Sequence, residues 1–77
     1  MDMRRLVGRN VRKFRLAKGL TQEDLAAASG FGQNYLSDLE RGRRNPTVVT
    51  LWELAQTLGV TPIDLITPDD EARVEKG

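Results

Sequence analysis

The side chains that run most covalent chemistry are missing from this sequence. It has no cysteine, hence no disulfide, thiolate metal site or thiol nucleophile. It has no histidine either, the usual general base and the commonest metal ligand. Carboxylates, serines and lysines remain but form no catalytic constellation, so neither an enzyme nor a metal or cofactor site is expected. The chemistry on offer is polar recognition. In "SGFGQNYLSDLERG", residues 29–42, Gly30 and Gly32 flank Phe31, and the amides of Gln33 and Asn34 follow directly. Such groups act through hydrogen bonds, and only if an element points them at a partner.

Those elements read as five short helices. "RRLVGRNVRKFRLAKG" places Val7, Val11 and Phe14 on one stripe and stops at Gly19, with Gly8 an anomaly inside it. "TQEDLAAASG" opens with Thr21 as N-cap and Asp24 at N3, turns Leu25 and Ala26 inward and stops at Gly30. Glycine is costly inside a helix, so Gly30 and Gly32 mark a break before a third segment, Gln33 to Glu40. There Phe31, Leu36 and Leu39 face inward. "RGRRNP" is a basic loop closed by Pro46. Thr47 caps a fourth helix whose inward positions read as Val48, Leu51, Leu54, Ala55 and Leu58, ended by Gly59. Thr61, Pro62 and Asp64 start a fifth helix. No strand pattern of comparable length appears. The expectation is an all-α domain of five helices over residues 1–67. An acidic tail, 68–77, either adds a turn of helix or is disordered.

Seventy-seven residues make one small domain. No run approaches the roughly 18 apolar residues of a membrane span, and "MDMRRLVGRN" lacks the apolar stretch of a secretory signal. A cytoplasmic protein without membrane contact is expected. The net charge of +1 conceals an asymmetry. Residues 1–45 hold ten Lys or Arg against five acids, and residues 46–77 hold two against six. Either one face meets a polyanion, or the cations are an ordinary solvated helix face.

The second and third helices, joined by a short glycine turn, have the spacing of a helix-turn-helix. Two helices crossing steeply need a small residue at the approach, Ala26, and a turn residue that accepts positive φ, Gly30. Leu25, Phe31, Leu36 and Leu39 plug the angle between them. A plain corner between two helices in a small bundle has the same spacing, so spacing alone does not prove DNA binding.

From Asn10 to Leu65, about 56 of 77 residues, the chain resembles the Cro/C1-type helix-turn-helix family, also called XRE. "LTQEDLA", the Gly30 turn, "YLSDLERGRRNP", "LWELAQTLGV" and a final short helix occur in that order. The resemblance implies a lambda-repressor-like domain binding double-stranded operator DNA as a homodimer, with helix 33–40 in the major groove. Base contacts then fall to Gln33, Asn34, Ser37, Asp38 and Arg41. Asn or Gln can bond adenine bidentately and Arg guanine. Phosphate contacts fall to Gln22, Tyr35, Arg43, Arg44 and Asn45, with Arg9 and Arg12 as weaker candidates. Tyr35 could instead pack over the second helix. Arg15 and Glu40 leave the DNA set, because the corresponding family residues form a partly buried ion pair tying the first helix to the third.

Two departures stand out. Gly32 replaces the usual Ser or Thr, which removes a side-chain cap and phosphate contact. Asp38 puts a negative charge near the groove, where it either accepts from cytosine or pairs with Arg41 at i+3. One recognition helix reads only about four or five base pairs. Dimerisation doubles that and makes the operator palindromic. Trp52, Ile63 and Ile66 are the interface candidates, although Trp52 could also cap the monomer core. Transcriptional regulation without a small-molecule effector is the expected function, at the nucleoid. An antitoxin or adaptor using the same fold to bind protein is the alternative.

Overall fold

The computed structural model describes residues 2–69, so most of the acidic tail, 70–77, lies outside the described residues. Five helices follow in order: α1 Met3–Ala17, α2 Gln22–Ser29, α3 Gln33–Glu40, α4 Val48–Leu58 and α5 Pro62–Ile66. Among the described residues there is no strand, and no helix is long and apolar enough to cross a membrane.

Four of the five helices, all but α3, start where a polar side chain satisfies an orphan amide. The Asp2 carboxylate accepts from the Arg4 N–H at 3.0 Å to open α1. Thr21 and Asp24 form a reciprocal capping box on α2, both bonds 3.0 Å. The Thr21 backbone N–H, helped by its hydroxyl, holds the Asp24 carboxyl below the usual carboxylate range. Thr61 and Asp64 repeat the box on α5 at 2.9 and 3.1 Å, with Pro62 in the first turn. Thr47 caps α4 through the Thr50 N–H.

The stripes these helices carry meet in one core of Val7, Val11, Leu25, Leu36, Leu39, Leu54, Ala55, Leu58 and Leu65. Phe14, Ala26, Phe31 and Leu51 pack against it, half-buried. One expected core member is absent. Val48 is 80% exposed. Leu51, Leu54 and Leu58 turn α4 so that Val48 falls, with Trp52 at i+4, on the outer flank.

Gly30 ends α2 in the left-handed conformation, φ +82°, as the sharp turn into α3 requires. Gly8 has a different reason. A methyl group there would meet the Leu39 carbonyl oxygen and stand 2.8 Å from that of Glu40. The backbones of α1 and α3 therefore touch, and that contact sets the tilt of α3.

Candidate DNA interface

α3 follows from its residues: Leu36 and Leu39 are fully buried, which leaves Gln33 and Asn34 exposed on its first turn. Gly32, at the N-cap, makes no side-chain cap bond. Ser37 and Asp38 are half-buried on the flank, and Arg41 is exposed at the C-cap. The five candidate base readers thus lie along one side of a single short helix. Among the described residues no acidic cluster could hold a metal ion.

Asp38 does not pair with Arg41, as the i+3 spacing suggested. α3 stops at Glu40, and the loop folds back so that the Arg43 N–H donates to the Asp38 carbonyl at 2.9 Å. That hairpin brings Arg44 over the helix instead. Its Nη2 donates to Asp38 Oδ2 at 3.5 Å, and its guanidinium lies 5.3 Å from the Tyr35 ring centroid. The Tyr35 ring in turn stacks on Phe31, centroids 5.6 Å apart and 25° from parallel. Arg43 and Asn45 are exposed on the same loop.

Behind this surface sits a polar knot. Arg15 Nε donates to Glu40 Oε2 at 2.7 Å and Nη2 to Oε1 at 3.0 Å, a bidentate pair. The two side chains are 9% and 4% exposed. Nη1 donates to the Leu20 carbonyl at 2.8 Å, which ties in the turn before α2. Donation to the Glu40 carboxylate raises the Arg15 pKa above its ordinary value. Gln22, expected at a phosphate, donates through Nε2 to Glu40 Oε1 at 3.1 Å, so α1, α2 and α3 share one carboxylate.

Helix 1 has a further anchor that the sequence reading missed. Asn10 is 1% exposed and its Nδ2 donates to the Leu65 and Thr67 carbonyls at 3.0 and 3.1 Å. Asp69 then lies 3.4 Å from Arg9 and 3.1 Å from Lys13. Asparagine on an otherwise apolar stripe was the available signal, but its partners lie 55 and 57 residues away.

α4 and α5 also expose apolar side chains. Trp52, Ile63 and Ile66 are 54, 68 and 41% exposed, and Val48 and Val49 extend the surface along α4. Val48 and Val49 were not expected there. The i, i+4 spacing of Val48 and Trp52 is compatible with a shared outer face but does not choose it over the core face.

The helix-turn-helix family HTH_3 matches residues 11–65. The chain is 66% identical over 71 residues to the uncharacterized HTH-type transcriptional regulator y4dJ of Sinorhizobium fredii, covering 92% of each. Its fold is similar to that of a hypothetical transcription factor, NHTF, from Neisseria. That pair has a TM-score of 0.85 and 35% identity, over 96% of this chain and 84% of the other. It is also similar to the restriction-modification controller protein C.Esp1396I, solved as a tetramer with its natural 35 base-pair operator. There the TM-score is 0.76 at 35% identity, over 84% of this chain and 86% of that one.

Proposed function

The chain belongs to the helix-turn-helix family HTH_3 of DNA-binding transcriptional regulators, which are not enzymes, and from that premise we propose that it binds a palindromic double-stranded operator as a homodimer. The observation that carries this reading is the exposure of Gln33 and Asn34 on the first turn of a helix whose other face is fully buried. In the major groove they read base edges, with Ser37, Asp38 and Arg41 further along α3. Arg43, Arg44 and Asn45 hold one backbone strand from the following loop, and Gln22 and Tyr35 meet phosphates beside them. Binding then exchanges the Arg44–Asp38 bond for a phosphate contact and frees Asp38 toward a cytosine amino group. Such a regulator works in the cytoplasm at the nucleoid, and its concentration rather than an effector sets occupancy. Domain limits follow from the same reading: residues 1–67 bind DNA, and the acidic residues 68–77 stay off it.

Selection of bound fragments from a random duplex pool tests the proposal. A palindromic consensus is the expected result, and an absence of any enriched sequence sinks it. At the selected site, Gln33→Ala or Asn34→Ala is expected to cost roughly 1–3 kcal/mol and to relax preference at one or two positions per half-site. Cognate and scrambled duplexes titrated in parallel measure this. Equal losses on both would remove α3 from the groove.

The homodimer uses the apolar flank of α4 and α5. Exposed apolar surface of this kind marks an interaction site, and tryptophan is a frequent interface anchor. Trp52→Ala and Ile66→Ala are expected to shift sedimentation toward monomer and weaken operator binding, with helical content unchanged. A dimer that persists in both variants would move the interface elsewhere.

A further inference from the structure

The structure divides the cations of the basic half into two groups. Arg4, Arg9, Lys13, Arg15 and Arg44 each face a carboxylate: Asp2, Asp69, Asp69 again, Glu40 and Asp38. Among the described residues, Arg5, Arg12, Lys18, Arg41 and Arg43 form no ion pair. Binding a phosphate costs this second group no bond already made.

Arg5 is the member whose position is most constrained. It is exposed on α1, yet its backbone N and Cα lie 3.3 and 3.1 Å from where a Cβ on Gly42 would stand, with its Cγ at 2.7 Å. Gly42 sits between Arg41 and Arg43, so the start of α1 rests directly on the loop assigned to the phosphates. Three helical residues further on, the backbone contact at Gly8 locks the same stretch of α1 to the end of α3. Arg5 is therefore held rigidly beside two unpaired arginines. An α3 of 8 residues is about 12 Å long, similar to the width of the major groove. With Gln33 and Asn34 leading, its far end and the Arg5 corner fall at the groove wall, where the backbone runs.

We propose that Arg5 is a phosphate contact, a clamp from α1 on the strand also held by Arg43. It rests on the groove reading above. It adds a contact outside the helix-turn-helix and its loop, and gives no base preference of its own.

The test uses Arg5→Gln, Arg5→Lys and Lys18→Gln in the full chain, on cognate and scrambled duplexes across a salt series. Lys18 is the control: it is another unpaired cation, but its Nζ lies 3.6 Å from the Cβ position of Gly59, at the α4–α5 turn. Arg5→Gln is expected to weaken both duplexes by one common factor, roughly three- to tenfold, and to flatten log K against log salt by about 0.9 per protomer. Arg5→Lys keeps most of the slope, Lys18→Gln leaves it unchanged, and melting temperatures stay at the wild-type value. Two results overturn the proposal: a wild-type slope for Arg5→Gln, or equal flattening by Lys18→Gln, which would reduce the effect to net charge. Gln33→Ala in the same series separates the two readings. If it loses no discrimination while Arg5→Gln still flattens the slope, the groove assignment fails, and what survives is the phosphate contact of Arg5 without its place at the groove wall.

Discussion

Glu40→Ala is expected to destabilise the domain by about 3–5 kcal/mol, the cost of leaving a buried cation without its partner. Arg15 is nine-tenths buried and would keep only the Leu20 carbonyl, while the Gln22 amide would lose its acceptor. A domain of this size has about 5–15 kcal/mol in total, so the variant melts more than ten degrees lower. Operator affinity falls with it, because the same carboxylate joins α1, α2 and α3. Base preference is expected to stay as it was, since Glu40 faces Arg15 and not the groove. Replacing both partners by methionine is expected to recover most of the loss, because burial of the pair is itself expensive. Thermal melting and fragment selection on the two variants, beside the wild type, check this. Wild-type stability with altered base preference would place Glu40 at the DNA.

Gly8→Ala is expected to act against helix propensity. In an open helix the change stabilises by up to about 1 kcal/mol. Here the added methyl meets two backbone carbonyl oxygens, those of Leu39 and Glu40, which cannot rotate away as a side chain would. α1 must withdraw from α3, and overpacking of this kind costs typically about 1–3 kcal/mol, occasionally more. The withdrawal also pulls on the Arg15–Glu40 pair two turns along α1. Urea denaturation should therefore show a lower midpoint, and the folded fraction should bind its operator more weakly with the same preferred sequence. A rise in stability would mean that the two helices are not in backbone contact.

Helix starts were legible in the sequence because caps are local. Thr21 with Asp24, and Thr61 with Pro62 and Asp64, carry their hydrogen-bond partners within three residues. The inward positions of α1, α2 and α3 followed from period 3.6 for the same reason. Val48 did not, because a single valine at the edge of a stripe fits either flank. Only the docking of Leu51, Leu54 and Leu58 decides how α4 rolls. The pairing of Asp38 was likewise out of reach of helix spacing. That spacing offers Arg41, while the partner in fact arrives from a loop that folds back over the helix.

By itself the sequence determined the class of chemistry, the number of helices and the glycine turn before Gln33 and Asn34. Lack of cysteine and histidine, apolar period and capping are all properties of residue type or near neighbours. The tertiary structure decided which polar groups pair with one another in the free protein. Glu40 takes up Arg15 and Gln22, Asp69 takes Arg9 and Lys13, and Asp38 takes Arg44, across 25, 18, 60, 56 and 6 residues respectively. It also decided why Gly8 lies mid-helix and why Arg5 stands beside Arg41 and Arg43. Ion pairs and backbone contacts depend on distance in space, and a chain brings distant residues together only once its core has set the helix crossings.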